Sequence, residues 1–154
     1  MEHTDIYRIL SQSIVFRELS PEELQRVLEY GVQEEIPAGQ HILHEGGENH
    51  ILYLILDGEV EVYLPEDERR HGRIHLNVVG PEAILGEYSL IDNEPASASA
   101  VTRTDTAFFY MDREDFERLV SDEDRIGKQV YYNLVRVLVE RLREKDRELD
   151  LEIL

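Results

Sequence analysis

The sequence predicts a mainly β fold with flanking α-helices: a double-stranded β-helix, or jelly-roll-like β-roll, with N-terminal helices before it and a long C-terminal helix after it. Three observations carry that prediction. Apolar residues recur at helical spacing at both ends of the chain, and short apolar runs broken by turn residues fill the middle. A stripe of Tyr, Val and Leu then continues for several turns near the C-terminus. No repeat, low-complexity tract or linker divides the 154 residues, the size of one ordinary domain. We read N-terminal helices over 1–31, a β-roll over 32–111 and C-terminal helices over 112–154.

Taken in order, Ile6, Ile9 and Leu10 have helical spacing. Ser20-Pro21-Glu22-Glu23 then predicts a helix start, with Ser20 as cap, Pro21 in the first helical position and Glu23 closing a capping box. Leu24, Val27 and Leu28 form its buried face, and Gly31 stops it. Strands follow as the runs Ile42-Leu43, Ile51 to Leu56, Val60 to Tyr63, Ile74 to Val79 and Phe108 to Met111. Between and around them stand Pro37-Ala38-Gly39, Gly46-Gly47, Asp57-Gly58, His71-Gly72 and Gly80-Pro81. Asp57-Gly58 between two apolar runs predicts a tight hairpin, and Pro65 to Arg70 an exposed hairpin loop. Asp112 can cap a helix burying Phe116, Leu119 and Val120. From about Arg125 a last helix carries Tyr131, Val135, Leu138, Leu142 and Leu149 in steps of four and three, interrupted at Lys145, close to a coiled-coil seam.

Composition narrows the function. Sixteen Lys and Arg against 34 Asp and Glu give a formal net charge of −18, which argues against direct binding of nucleic acid or anionic membrane. There is no cysteine for a disulfide framework or thiolate metal site. No apolar run is long enough to span a bilayer and the N-terminus lacks a signal-peptide pattern, so the expected compartment is the cytoplasm. His41 and His44 with Glu45 raise the possibility of a metal site, as in a cupin-like metal-dependent enzyme. Strand alternation places these two histidines on opposite faces, so no metal site is expected. No nucleophile elbow or P-loop stands out, and no enzyme is expected.

The order of motifs is specific. Phe16-Arg17-Glu18-Leu19-Ser20 with Leu24 is followed by Ile36-Pro37-Ala38-Gly39-Gln40-His41-Ile42 with Glu45-Gly46. Next comes Leu52-Tyr53-Leu54-Ile55-Leu56-Asp57-Gly58-Glu59-Val60-Glu61-Val62, then Gly80-Pro81, then Leu85-Gly86-Glu87-Tyr88-Ser89-Leu90. In this order the pieces resemble the leading helix, first hairpin, central hairpin and phosphate-binding cassette of the cyclic-nucleotide-binding domain family, as found in catabolite activator proteins and protein kinase A regulatory subunits.

That resemblance implies a sensor module without a DNA-binding domain. It implies that Gly86 lets the backbone approach a phosphate, that Glu87 accepts from a ribose hydroxyl, and that backbone N–H groups near Tyr88 and Ser89 face the phosphate. The family's ligand-binding members carry Pro-Arg-Ala downstream; here Glu94-Pro95-Ala96-Ser97-Ala98-Ser99 puts Ala96 where the Arg belongs. Losing that partner costs about 2–5 kcal/mol. Ser97 and Ser99 remain as neutral donors, Glu87 is left without a nearby cation, and Glu82 adds negative charge near the pocket mouth. The ligand expected is therefore a weakly held cyclic nucleotide or another small anion, with no resident cofactor. The resemblance also gives the last helix two roles: Tyr131 or Tyr132 as a lid, and Tyr131, Val135, Leu138 and Leu142 as a homodimer seam. A protein effector is a further expected partner. The alternative is a degenerate dimeric interaction scaffold that binds no nucleotide.

Overall fold

The computed structural model of the protein describes residues 3–48 and 50–153. Two helices open it, α1 (His3–Gln12) and α2 (Pro21–Glu29). The start of α2 is local chemistry: the Ser20 hydroxyl accepts the Glu23 N–H at 3.2 Å, and the Glu23 carboxylate accepts the Ser20 N–H at 3.0 Å. Among the described residues eight strands follow: β1 (Val32–Ile36), β2 (His41–Leu43), β3 (Ile51–Asp57), β4 (Val60–Leu64), β5 (Ile74–Val79), β6 (Ile84–Leu85), β7 (Ser99–Thr102) and β8 (Thr106–Asp112). A short helix, α3 (Glu87–Asp92), is inserted between β6 and β7; α4 (Arg113–Asp122) and the 30-residue α5 (Asp124–Ile153) close the chain. Asp112 caps α4 by accepting the Asp115 N–H at 2.8 Å.

The strands form two antiparallel four-stranded sheets, ordered β1-β8-β3-β6 and β2-β7-β4-β5. Among the described strands the chain passes from one sheet to the other at every connection except β4–β5, which winds it into a roll. The hairpin expected at Asp57-Gly58 is therefore a corner between sheets. A register shift between Ile55 and Asp57 precedes the last β3–β8 pair, Asp57 with Ala107, and Gly58, at φ 102°, lies against the Asp105 carbonyl and Thr106 where a side chain would clash. The β1–β2 connection is likewise a corner, held by the Thr102 hydroxyl, which accepts from the Gln40 N–H and donates to the Pro37 carbonyl. The loop over Pro65 to Arg70 does join two paired strands, β4 and β5.

Side-chain alternation on β3 and β8 divides the core in two. Leu52, Leu54 and Leu56 pack with Phe109 and Met111 against helix residues such as Ile6, Leu10, Val27, Phe116, Ile126 and Val130. Tyr53 and Ile55 point the other way, with Phe108, into the roll beside Ile42, Leu43, Val60, Leu85 and Ala100. Both faces of β3 are buried, which is why its sequence is an unbroken apolar run instead of an alternating one.

The base of α5 is fixed by Ile126, Val130, Leu134 and Val137, all buried, and by Asn133, whose amide nitrogen donates to the carbonyls of Val15 and Arg17 at 2.9 Å each. Farther along, Tyr132, Val135, Val139, Leu142 and Leu149 are exposed. Among the described residues no helix is long and apolar enough to cross a membrane.

Candidate ligand-binding site

A cavity of about 300 Å³ opens between the inner face of the roll and α3. Its apolar wall includes Leu43, Val62, Leu76, Val79 and Leu85; its polar rim includes Asn77, Glu87, Ser89, Ser97 and Arg141. Gly86 shapes the mouth. Pairing of Tyr53 with Leu85 brings the next residue against β3, so a Cβ on Gly86 would lie 2.1 Å from the Ile51 carbonyl oxygen. The residue also needs φ 85°, and with it the chain turns directly into α3.

Glu87, the first residue of α3, holds the site's main electrostatic contact. Its carboxylate accepts a hydrogen bond from Arg141 Nη1 of α5 at 3.0 Å. The same Nη1 also donates to the Tyr88 hydroxyl, and the guanidinium lies 5.0 Å from the centre of the Tyr88 ring. The Glu87 side chain is 15% exposed and that of Arg141 is 40% exposed, so the pair is only partly shielded from water. Burial works against the Arg141 charge, but the neighbouring Glu87 and Tyr88 outweigh it and hold its pKa above the usual arginine value.

On the opposite side Ala96 is buried, and its backbone is clasped by the β2–β3 turn: its N–H donates to the Gly47 carbonyl at 3.0 Å and its carbonyl accepts the Gly46 N–H at 2.9 Å. That turn is held in turn by Glu45, which binds Arg70 of the β4–β5 hairpin through both carboxylate oxygens. Ser97 lines the cavity, whereas the buried Ser99 hydroxyl accepts the Glu45 N–H at 3.0 Å and lies off the lining. Ser99 therefore braces the turn.

A family model described as a cyclic nucleotide-binding domain matches residues 33–123, the stretch that builds this cavity apart from Arg141. The chain belongs to the cyclic nucleotide-binding domain family. It is 37% identical over 142 residues to the cyclic AMP receptor protein of Thermus thermophilus, covering 90% of this chain and 62% of that protein. It is 25% identical over 122 residues to the type II regulatory subunit of cAMP-dependent protein kinase from Drosophila melanogaster, covering 79% and 30%. Among solved structures, a cyclic nucleotide-binding domain from Methylobacillus flagellatus matches with a TM-score of 0.80 at 33% identity, covering 96% of this chain and 82% of that one. The catabolite activator protein of Thermus thermophilus matches at 0.79 and 36% identity, covering 90% and 62%. The chain thus spans less than two thirds of the length of its bacterial receptor relatives.

Within this cyclic nucleotide-binding domain, Gly86, Glu87, Tyr88, Ser89, Ala96 and Ser97 line one cavity. Neither tyrosine expected as a lid reaches it. Tyr131 packs edge-on against Phe116, with ring centres 5.8 Å apart, and Tyr132 faces Arg136. The α5 residue that does reach the cavity is Arg141, so Glu87 does have a cation beside it, contrary to the expectation from sequence. Arg141 follows Leu134 and Leu138 at helical spacing on the inward stripe of α5, and that stripe was its only mark in the sequence. Glu82 sits away from the mouth, in a depression with Asp5 and Arg8. His41 and His44 do not diverge: β2 ends at Leu43, and the two rings stack 5.0 Å apart, with His41 Nε2 2.6 Å from the Tyr63 hydroxyl. Among the described residues no group of three His, Asp or Glu side chains could hold a metal ion.

Proposed function

We propose that this regulatory domain takes a small organic anion of the cyclic-nucleotide class in the cavity beside Gly86-Glu87 and passes its binding to α5. One observation carries the reading: the cavity wall is completed by a side chain of α5, Arg141, bonded to the residue that would accept a ribose hydroxyl, Glu87. A ligand that engages Glu87 must then alter a contact that fixes α5. Ala96 offers no charge from the cassette, so affinity for cyclic AMP or cyclic GMP is weak. Isothermal titration tests this. Ala96→Arg is expected to tighten cyclic AMP binding by about tenfold or more. An unmodified chain that already binds at about micromolar or tighter would overturn the assigned effect of Ala96.

A second reading, a self-associating scaffold, is favoured by a different observation. Tyr132, Val135, Val139, Leu142 and Leu149 follow steps of three and four along α5, with polar Asp146 at the intervening seam position, and the five apolar residues are solvent-exposed in the single chain. The four residues of the seam expected from sequence, Tyr131, Val135, Leu138 and Leu142, are likewise exposed, at 43%, 55%, 40% and 64%; Tyr131 also packs edge-on against Phe116, and Leu138 lines a groove of about 230 Å³ with Ile91 and Leu134. Self-association is compatible with ligand binding, whereas a scaffold that binds no nucleotide excludes it, and the titration above separates the two. Sedimentation reads the mass directly, and a monomer at high concentration removes the second.

A further inference from the structure

The cavity has one cationic residue on its described lining, and it comes from the wrong place. In the pattern that the motif order resembles, the charge that meets the ligand's anion belongs to the cassette, at the position held here by Ala96. Here the cassette side contributes Ala96, Ser97 and Ala98, none of which carries charge. Arg141 enters the same cavity from α5, 54 positions away from the Glu87 it contacts.

We propose that Arg141 is the anion-recognising residue of this domain, so that the positive charge needed by the ligand has moved from the cassette to α5. The proposal rests on the ligand-binding reading above and names the contact that carries it. An anion approaching a chain with a formal net charge of −18 meets an unfavourable field and requires a local cation. Both described hydrogen bonds of Arg141 in the site use Nη1, and a guanidinium has five N–H donors, so Nη2 and Nε remain to meet an anionic oxygen. Glu87 supplies the complementary acceptor for a hydroxyl. The ligand class that fits this pair is an organic monoanion with a hydroxyl near its anionic group, of which a cyclic sugar phosphodiester is one example. Because the cation rides on α5, anion binding and the position of α5 cannot be separated.

The experiment is titration of cyclic AMP into the full chain and four variants: Arg141→Gln, Arg141→Lys, Ala96→Arg and the double variant Ala96→Arg/Arg141→Gln. Melting curves check that each is folded. Arg141→Gln is expected to weaken binding by about tenfold or more, with Arg141→Lys recovering part of the loss. Returning a charge to the cassette should make Arg141 dispensable, so the double variant should bind better than Arg141→Gln alone. Arg141→Gln binding like the unmodified chain would overturn the proposal. So would a loss that Ala96→Arg fails to repair although Ala96→Arg alone tightens binding, because Arg141 would then act only by holding α5. If neither the unmodified chain nor Ala96→Arg binds cyclic AMP, the ligand-binding reading itself fails and the proposal with it.

Discussion

Arg70 grips Glu45 with two hydrogen bonds of 2.7 Å, one from each terminal guanidinium nitrogen, and so joins the β4–β5 hairpin to the turn that clasps Ala96. The hydrogen bonds from Arg70 hold the Glu45 carboxyl below its ordinary pKa, outweighing the opposing effect of burial. A depressed carboxyl contributes stability above its ordinary pKa and loses it as pH falls through the lower, folded value. Arg70→Ala should therefore be less stable than the unmodified chain at neutral pH, with the gap closing as pH falls below the ordinary carboxylate range. Urea unfolding at about pH 7 and about pH 3.5 checks this, and an equal gap at both would contradict it.

Glu82 occupies a position built for glycine. Its φ of 77° and the Ala83 N–H to Gly80 carbonyl bond match the third residue of a type II turn, with Pro81 in the second. Replacing Glu82 with Gly relieves the left-handed strain but raises the entropy of the unfolded chain, for a net gain of about 0.5–1 kcal/mol. Chemical denaturation should show a higher midpoint at unchanged slope.

Gly86→Ala should do the reverse. The added methyl meets the Ile51 carbonyl oxygen at 2.1 Å and forces an L-residue to φ 85°, for a combined cost of about 2–4 kcal/mol. Near-native stability in unfolding experiments would show that β6 and α3 can shift apart cheaply.

The seam on α5 makes a separate prediction. Val135 is 55% exposed and Leu142 is 64% exposed, so Val135→Glu or Leu142→Glu should leave the domain's own fold intact while abolishing self-association. Sedimentation of the two variants beside the unmodified chain reads the difference; equal masses for all three would rule out this stripe as the contact.

How much of this was legible in the sequence depended on distance along the chain. The start of α2 was readable because Ser20 and Glu23 satisfy each other within one turn. Asp57-Gly58 announced a turn but not its destination, since Val60 begins a strand paired to β5 and β7 and not to β3, a matter settled by partners far away in the chain. The stacking of His41 on His44 was missed because alternation holds only while a strand lasts, and β2 is three residues long. Arg141 was invisible as a site residue for the same reason: nothing near it in sequence names Glu87, and only the packing of Leu134 against the body of the domain turns it inward.

The two hydrogen bonds from Asn133 to the carbonyls of Val15 and Arg17 give α5 a fulcrum. Arg141 lies about 12 Å beyond that point along the helix and Leu151 about 27 Å beyond it, at roughly 1.5 Å per residue. If the proposed coupling tilts α5 as a rigid rod about this anchored base, displacement grows with distance along the helix, so a shift of about 1 Å at the cavity becomes roughly 2 Å or more at Leu151. On the coupling proposed above, Glu87 is the input of a lever whose output is the far tip of α5.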